Sequence, residues 1–291
     1  MFQVFNTDTG TKIYDSGVVA ADSPTRSVDV AVAGIQQLEL RLGVQVFDRG
    51  GHRAELTPAG EAILAEGRKL LESASRIETL ARRIDEGWEP RLQIVIDGIL
   101  PQRPIMAALK SLADEGSPTQ IQVKVEFLGG VQHRFARDDA DIMLVKDYVE
   151  QVGLVSEPLD AVESVLVCAP DHPLAGREQV TLDELQEHVE LSIHDSSDAE
   201  PGTDPTSFGG PRVFYLSDFG AKRQALEMGL GFGWMPTYLA ESLLGTSLVE
   251  VDFEGGSRYS FAPGLVHRVA RVQGRTARRF IELLIGARPW S

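Results

Sequence analysis

The 291-residue chain holds one cysteine, Cys168, so it cannot form an internal disulfide. That residue lies in the apolar run Val165–Ala169 and reads as a small buried side chain, with a thiol sensor as the rival reading. No apolar run reaches the roughly 18–20 residues of a membrane span. No signal peptide precedes the motifs described below, so the expected compartment is the cytoplasm and no membrane partner is expected. Positive charge is scarce: 28 Lys and Arg face 43 Asp and Glu, for a net charge of −15. Most of that excess, −11, falls in residues 91–291, where it favours solubility and disfavours nonspecific nucleic-acid binding. The six histidines and the cysteine show no metal-ligand spacing. No Gly-x-Ser-x-Gly elbow occurs, and His194-Asp195-Ser196, adjacent in sequence, says nothing about a triad. Gly229, Gly231 and Gly233 have the wrong spacing for a dinucleotide loop. No cofactor, metal or catalytic constellation is therefore expected.

Residues 35–61 are informative. Ile35, Leu38 and Leu42 share one helical face, and Gly43 sits where a helix stops. Val44, Val46 and Phe47 form a short apolar run, and Gly50-Gly51-His52-Arg53 a turn with a basic tip. Thr57 then caps a helix that opens on Pro58. Helix, turn, two-stranded wing and helix outline a winged helix-turn-helix, a DNA-reading module.

This run resembles the N-terminal domain of LysR-type transcriptional regulators. Ser16, Ala20-Ala21, Ile35, Leu38-Glu39, Leu42-Gly43, Val46-Phe47, Arg49 and Leu56-Thr57-Pro58-Ala59-Gly60 fall in the family's register without gaps. The resemblance implies promoter DNA as partner, a pairing linker helix and a small-molecule effector domain. On it, Arg26, Ser27, Val28, Asp29, Val32, Arg49 and Arg53 are the candidate DNA-facing residues. The first 34 residues depart from the pattern. Glycines and Asp15 interrupt Phe5–Ser16, and Pro24 stands where a helix-packing Leu is expected. The recognition helix opens Ser27-Val28-Asp29-Val30, with Val32 where the family carries Ser. Valine cannot hydrogen-bond a base edge, although it can touch a thymine methyl, and Asp29 opposes phosphate. Residues 1–60 carry a net −2, against the basic footprint usual in DNA binders. A divergent DNA site, a decayed domain and an altered N-terminal sequence all fit.

Residues 58–87 read as one long helix. Ile63, Gly67, Leu70, Ala74, Ile77, Ala81 and Ile84 repeat at spacings of four and three, a heptad seam that implies dimerisation. Ile63, Leu70, Ile77 and Ile84 are its candidate contacts, in a homodimer or tetramer. A helix packed on its own C-terminal domain is the alternative. After the break at Gly87–Pro90, strands alternate with helices, which argues an α/β fold. The fold class is thus mixed: a winged helix-turn-helix plus a two-lobed α/β effector domain of the periplasmic-binding-protein type, the latter implied by the resemblance. The expected divisions are a DNA-binding domain at 1–57, a linker helix at 58–87 and an effector domain at 91–291. Within the last, lobe I covers about 91–162 and 267–291, and lobe II about 163–266.

Ligands of α/β sheets sit beyond strand carboxyl ends, at helix N-termini. Four such places occur. The first is Gly98–Arg103, with Leu100, Gln102 and Arg103 as candidates; it lacks the Ser or Thr with which relatives often hold a carboxylate, which suggests a more apolar effector. The others are Lys146, the pair Asp195 and Ser196, and Trp234 after the glycine turn. Loop capping or core packing is the plain reading of each. The expected function is a LysR-type regulator, the rival being a ligand- or partner-binding protein with a degenerate DNA domain.

Overall fold

A computed structural model describes residues 24–50, 54–197, 206–269 and 273–286, with side chains from residue 32 onward. Phe5–Ser16, Ala20-Ala21, Arg53 and the side chains of Arg26, Ser27, Val28 and Asp29 lie outside the described residues. The chain divides into two units, residues 1–81 and 82–291.

In the first unit, helix α1 (Pro24–Leu42) stops at Gly43, whose φ of 69° suits a residue without a Cβ. Strands β1 (Phe47–Asp48) and β2 (Glu55–Leu56) form an antiparallel wing. The wing is pinned by Glu39, which accepts from the Val46 and Phe47 amides at 2.8 and 3.1 Å and pairs with Arg49 at 3.2 Å. Those amides hold the Glu39 carboxyl below its usual range. The Thr57 hydroxyl accepts from Gly60 N–H at 2.9 Å and opens α2 (Pro58–Asp85). Gly60 itself is required, because a Cβ there would lie 2.1 Å from the Val46 carbonyl oxygen. Along α2, Leu70, Ile77 and Ile84 are exposed while Ile63 is half-buried.

The second unit holds two sheets. Strands β3 (Arg91–Asp97), β4 (Gln120–Glu126), β5 (Ile142–Val145) and β6 (Leu154–Pro158) precede the crossing into the other lobe at 159–161. Helices α3 (Gln102–Asp114) and α4 (Gly129–Arg137) connect the first of these strands. Lobe II runs from β7 (Val162–Cys168) through α5 (Leu182–Gln186), β8 (Glu190–Ile193), β9 (Val213–Leu216) and α6 (Phe219–Glu227). It continues with β10 (Phe232–Pro236), α7 (Thr237–Ala240), β11 (Val249–Glu250) and β12 (Arg258–Phe261). Strand β13 (Gly264–Arg268) and helix α8 (Arg275–Gly286) return to lobe I.

Lobe I has the strand order β4-β3-β5-β13-β6; β13 runs antiparallel to its neighbours and the first three strands are parallel. Lobe II has the order β11-β7-β10-β8-β9, with β12 also on β7. Two crossings, β6 to β7 and β12 to β13, join them. The expected return at 267 lies inside β13, which pairs as one strand with β5 from Gly264 onward. Ile94, Ile96, Ile142, Leu144 and Leu265 form one face of the lobe I core, and Phe280 of α8 completes it. In lobe II, Gly231 lets β10 approach β8, since a Cβ there would sit 2.1 Å from the Val189 carbonyl oxygen.

Candidate functional site

The cleft between the lobes lies beyond the carboxyl ends of β3 and β5 and along β8. Lobe I supplies Asp97 from the end of β3, Lys146 after β5, and Phe127 and Leu128 before α4. From lobe II come Ser164 on β7, Glu190 and Ser192 on β8, Lys222 on α6, Trp234 on β10 and Tyr259 on β12. They line a space of about 520 Å³, a volume that includes open solvent.

The chemistry of the lining is unusual for surfaces so far removed from water. Asp97, Lys146, Glu190 and Lys222 are all buried, a placement that charged groups accept only when partnered. Each has such company. Asp97 accepts from the Ile99 amide at 3.1 Å. Lys146 lies 3.5 Å from Asp147 and over the rings of Tyr259 and Phe261, at 5.1 and 5.3 Å from their centroids. Glu190 accepts from the Ser207 hydroxyl and the Phe208 amide, each at 3.1 Å. Lys222 lies 5.8 Å from the Phe219 ring centre. By contrast the Ser164 hydroxyl, on a fully buried residue, has no hydrogen-bond partner among the described residues. Trp234 donates to the Thr206 carbonyl at 3.1 Å, stacks on Phe208 and meets the Tyr259 ring edge-on at 4.8 Å.

Two sets of hydrogen bonds tie the lobes across this cleft. The Asp195 carboxylate accepts from the Gly129 and Gly130 amides, both at 3.1 Å, at the start of α4. A negative charge there complements the helix dipole. Ser196 Oγ accepts from Phe127 N–H at 2.8 Å. The approach is too close for side chains at 129 and 130: a Cβ on Gly130 would fall 1.9 Å from Ser196 Oγ. Next to them Leu128 holds a left-handed φ of 53°. Elsewhere the Tyr238 hydroxyl donates to the Ile99 and Leu100 carbonyls at 3.2 and 3.1 Å.

The expected effector residues therefore separate. Lys146 and Trp234 line the cleft; Asp195 and Ser196 sit where the lobes meet and bond to lobe I. Leu100 is buried in the lobe I core and presents its carbonyl to Tyr238. Gln102 and Arg103 are exposed in the first turn of α3. Sequence reasoning missed Asp97, Ser164, Glu190, Ser192, Lys222 and Tyr259. A usable signal existed in part: Ser164 and Ser192 are polar residues set beside apolar ones, Val165 to Val167 on β7 and Leu191 and Ile193 on β8.

Burial raises the Asp97 carboxyl to about 7, against the Ile99 and Lys146 amides and the Lys146 ammonium. The fold therefore favours the protonated form. Its contribution to stability is present below the unfolded value near 3.8 and is lost as pH rises through 7, a span on the order of 4 kcal/mol at most. Asp97→Asn is expected to flatten the decline in melting temperature between about pH 4 and pH 8. An unchanged decline in the variant would remove Asp97 as its source.

No group of His, Cys, Asp and Glu among the described residues could hold a metal ion, and no described helix is long and apolar enough to cross a membrane. A family model described as the LysR substrate binding domain matches residues 85–288. The probable HTH-type transcriptional regulator YhaJ of Escherichia coli K12 is 31% identical over 230 residues, covering 78% of this chain and 76% of that protein. Among solved structures, an OxyR C206 mutant of Corynebacterium glutamicum superposes with a TM-score of 0.58 at 22% identity, covering 90% of this chain and 83% of the other. The full-length Vibrio cholerae virulence activator AphB gives 0.52 at 20% identity, with 89% of each chain covered.

Proposed function

The chain belongs to the LysR family of transcriptional regulators, and on that premise we propose that the interlobe cleft is its effector site, α2 its dimerisation element and the α1–wing region its DNA-contacting surface. The protein is a LysR-type regulator that responds to effectors. Regulators of this family bind promoter DNA and assemble as oligomers. A protein with that partner works in the cytoplasm, and we read the cleft as a binding site without catalysis.

The observation that carries the cleft reading is the burial of Lys146, Lys222 and Ser164, the last unpartnered among the described residues, in one space between two lobes. Contacts across it at Asp195–Gly130 and Tyr238–Ile99 supply a mechanism. A ligand bridging the lobes adds to these bonds, so it favours the closed arrangement and, by linkage, one arrangement of the DNA-reading heads. Its sign on transcription depends on which arrangement matches the operator. Leu70, Ile77 and Ile84 support the dimer: large apolar side chains repeated along one exposed helical seam are the pattern of a helix that pairs.

Weak DNA affinity resting on few cations follows from the net −2 of residues 1–60. Val32 is exposed and able to offer a base only an apolar surface, and Arg49 is held at the wing by Glu39. Replacing Arg49 and Arg53 with Ala should lower the slope of log affinity against log salt by about 0.9 for each phosphate that is no longer neutralised. Fluorescence anisotropy with genomic fragments recovered by pull-down measures this. Absence of binding at low salt in the unmutated protein would favour the rival, a ligand- or partner-binding protein with a degenerate DNA domain.

A further inference from the structure

A second hollow lies at the other end of the lobe I sheet, where β3 and β5 begin, β13 ends and α8 starts. It has a volume of about 240 Å³, and the length of β3, roughly 20 Å, separates it from the cleft. Gly274 closes one side tightly, since a Cβ there would lie 2.0 Å from Glu89 Oε2. The charged groups of the lining already have company. Glu89 accepts from the Thr276 and Ala277 amides, and Asp141 from the Gln93 amide at 2.8 Å. Arg268 pairs with Asp139 at 3.2 Å and lies over the Phe135 ring. Arg91 donates to the Gln122 side chain. Two donors remain: Arg268 Nε and Gln273 Nε2 are buried atoms with no hydrogen-bond partner among the described residues. The other walls, Pro90, Leu92, Ile142 and Ala277, are apolar.

We propose that this hollow is a second ligand site, for a small uncharged molecule that presents a carbonyl oxygen on an apolar body. Arg268 ends β13 and Gln273 precedes α8, and both line the one cavity. A buried donor without a partner costs stability, so an acceptor that reaches it is favoured. A carbonyl oxygen has two lone pairs and can accept from both residues. Water can do the same, but it gains nothing from the apolar walls, whereas an apolar body buried against them does. The same lining disfavours an ion. An anion faces Glu89 and Asp141, a cation faces Arg91 and Arg268, and either gives up its hydration to enter. Glu89 stands between the end of α2 and the start of β3, so an occupant of the hollow touches the point where that helix joins lobe I.

The test titrates the full-length protein with acetophenone, ethylbenzene and benzoate by saturation-transfer NMR. The first two share a ring and a two-carbon arm and differ in the carbonyl oxygen. Acetophenone is expected to bind at millimolar concentration, and ethylbenzene about tenfold more weakly. Benzoate should not displace acetophenone. Gln273→Leu and Arg268→Lys should each weaken acetophenone about tenfold. Gln273→Leu removes a donor without a partner, so the unliganded variant should melt no lower than its parent. Arg268→Lys keeps a cation beside Asp139; if it melts early all the same, Gln273→Leu alone decides. Equal binding of ethylbenzene would overturn the role of the carbonyl, and displacement by benzoate the preference for an uncharged ligand. Acetophenone binding that survives both substitutions lies elsewhere and overturns the site. No acetophenone binding at all overturns it too, and the hollow then holds water only.

Discussion

Replacing Leu70 and Ile77 with Asp is expected to turn the protein into monomers in sedimentation velocity. Both side chains are largely exposed in the single chain, so the substitution leaves the fold of each unit intact. In a dimer paired through α2 it places four carboxylates in one apolar seam. Each costs several kcal/mol if desolvated without a partner, more than a short helical seam can return. The charged residues on the other faces of α2, such as the Lys69–Glu66 pair at 2.8 Å, are solvated in either state and contribute little. A conservative control, Leu70→Met with Ile77→Leu, should keep the parent mass distribution. If the Asp variant sediments like its parent, the seam is not what joins the subunits.

Phe280→Ala should lower the stability of the effector module by about 3–5 kcal/mol, and its melting temperature by roughly 10 °C. Phe280 is fully buried in the lobe I core among Ile94, Ile96 and Leu265. It arrives from α8, the last of the described elements, while its neighbours come from β3 and β13. Truncation leaves a cavity that β-sheet backbone cannot collapse to fill. Glu89 ties the same helix to the start of the module, accepting from the Thr276 and Ala277 amides at 3.2 and 2.6 Å. The loss should therefore appear as one cooperative shift, measured by calorimetry. A shift under about 1 kcal/mol would mean that α8 is not part of this core.

Local chemistry was readable along the chain because its signals are short in range. Gly43 as a helix stop and Thr57-Pro58 as a helix start depend on residues a few positions apart, and each is found where those residues stand. The strands β6 and β12 and the helix α4 gave weaker signals. Strand β6 is largely exposed and lacks the pattern that burial imposes, while β12 alternates exposed and half-buried residues over only four positions, too few to stand out. Helix α4 opens on two glycines, poor helix formers that read as a turn. Their reason is tertiary: Gly129 and Gly130 make room for Asp195 and Ser196, residues 65 to 66 positions away.

The cleft divides in the same way. Lys146 and Trp234 were accessible to sequence reasoning because they adjoin strand ends and turns, and a strand's carboxyl end is a general place for ligands. Lys222 was not. On α6 it has the look of a solvated helix residue, and its burial follows from the packing of α6 against Gly233 of β10. Asp97 and Ser164, on β3 and β7, face one space only because two crossing connections set lobe II against lobe I. Thus the residues by themselves determined the family, the two-lobed α/β class and the start and stop of the principal helices, since propensity, capping and register act between near neighbours. Which buried charges share the cleft, and which predicted residues are used to hold the lobes together, was decided by the tertiary structure, since desolvation and interlobe hydrogen bonds exist only once distant segments meet.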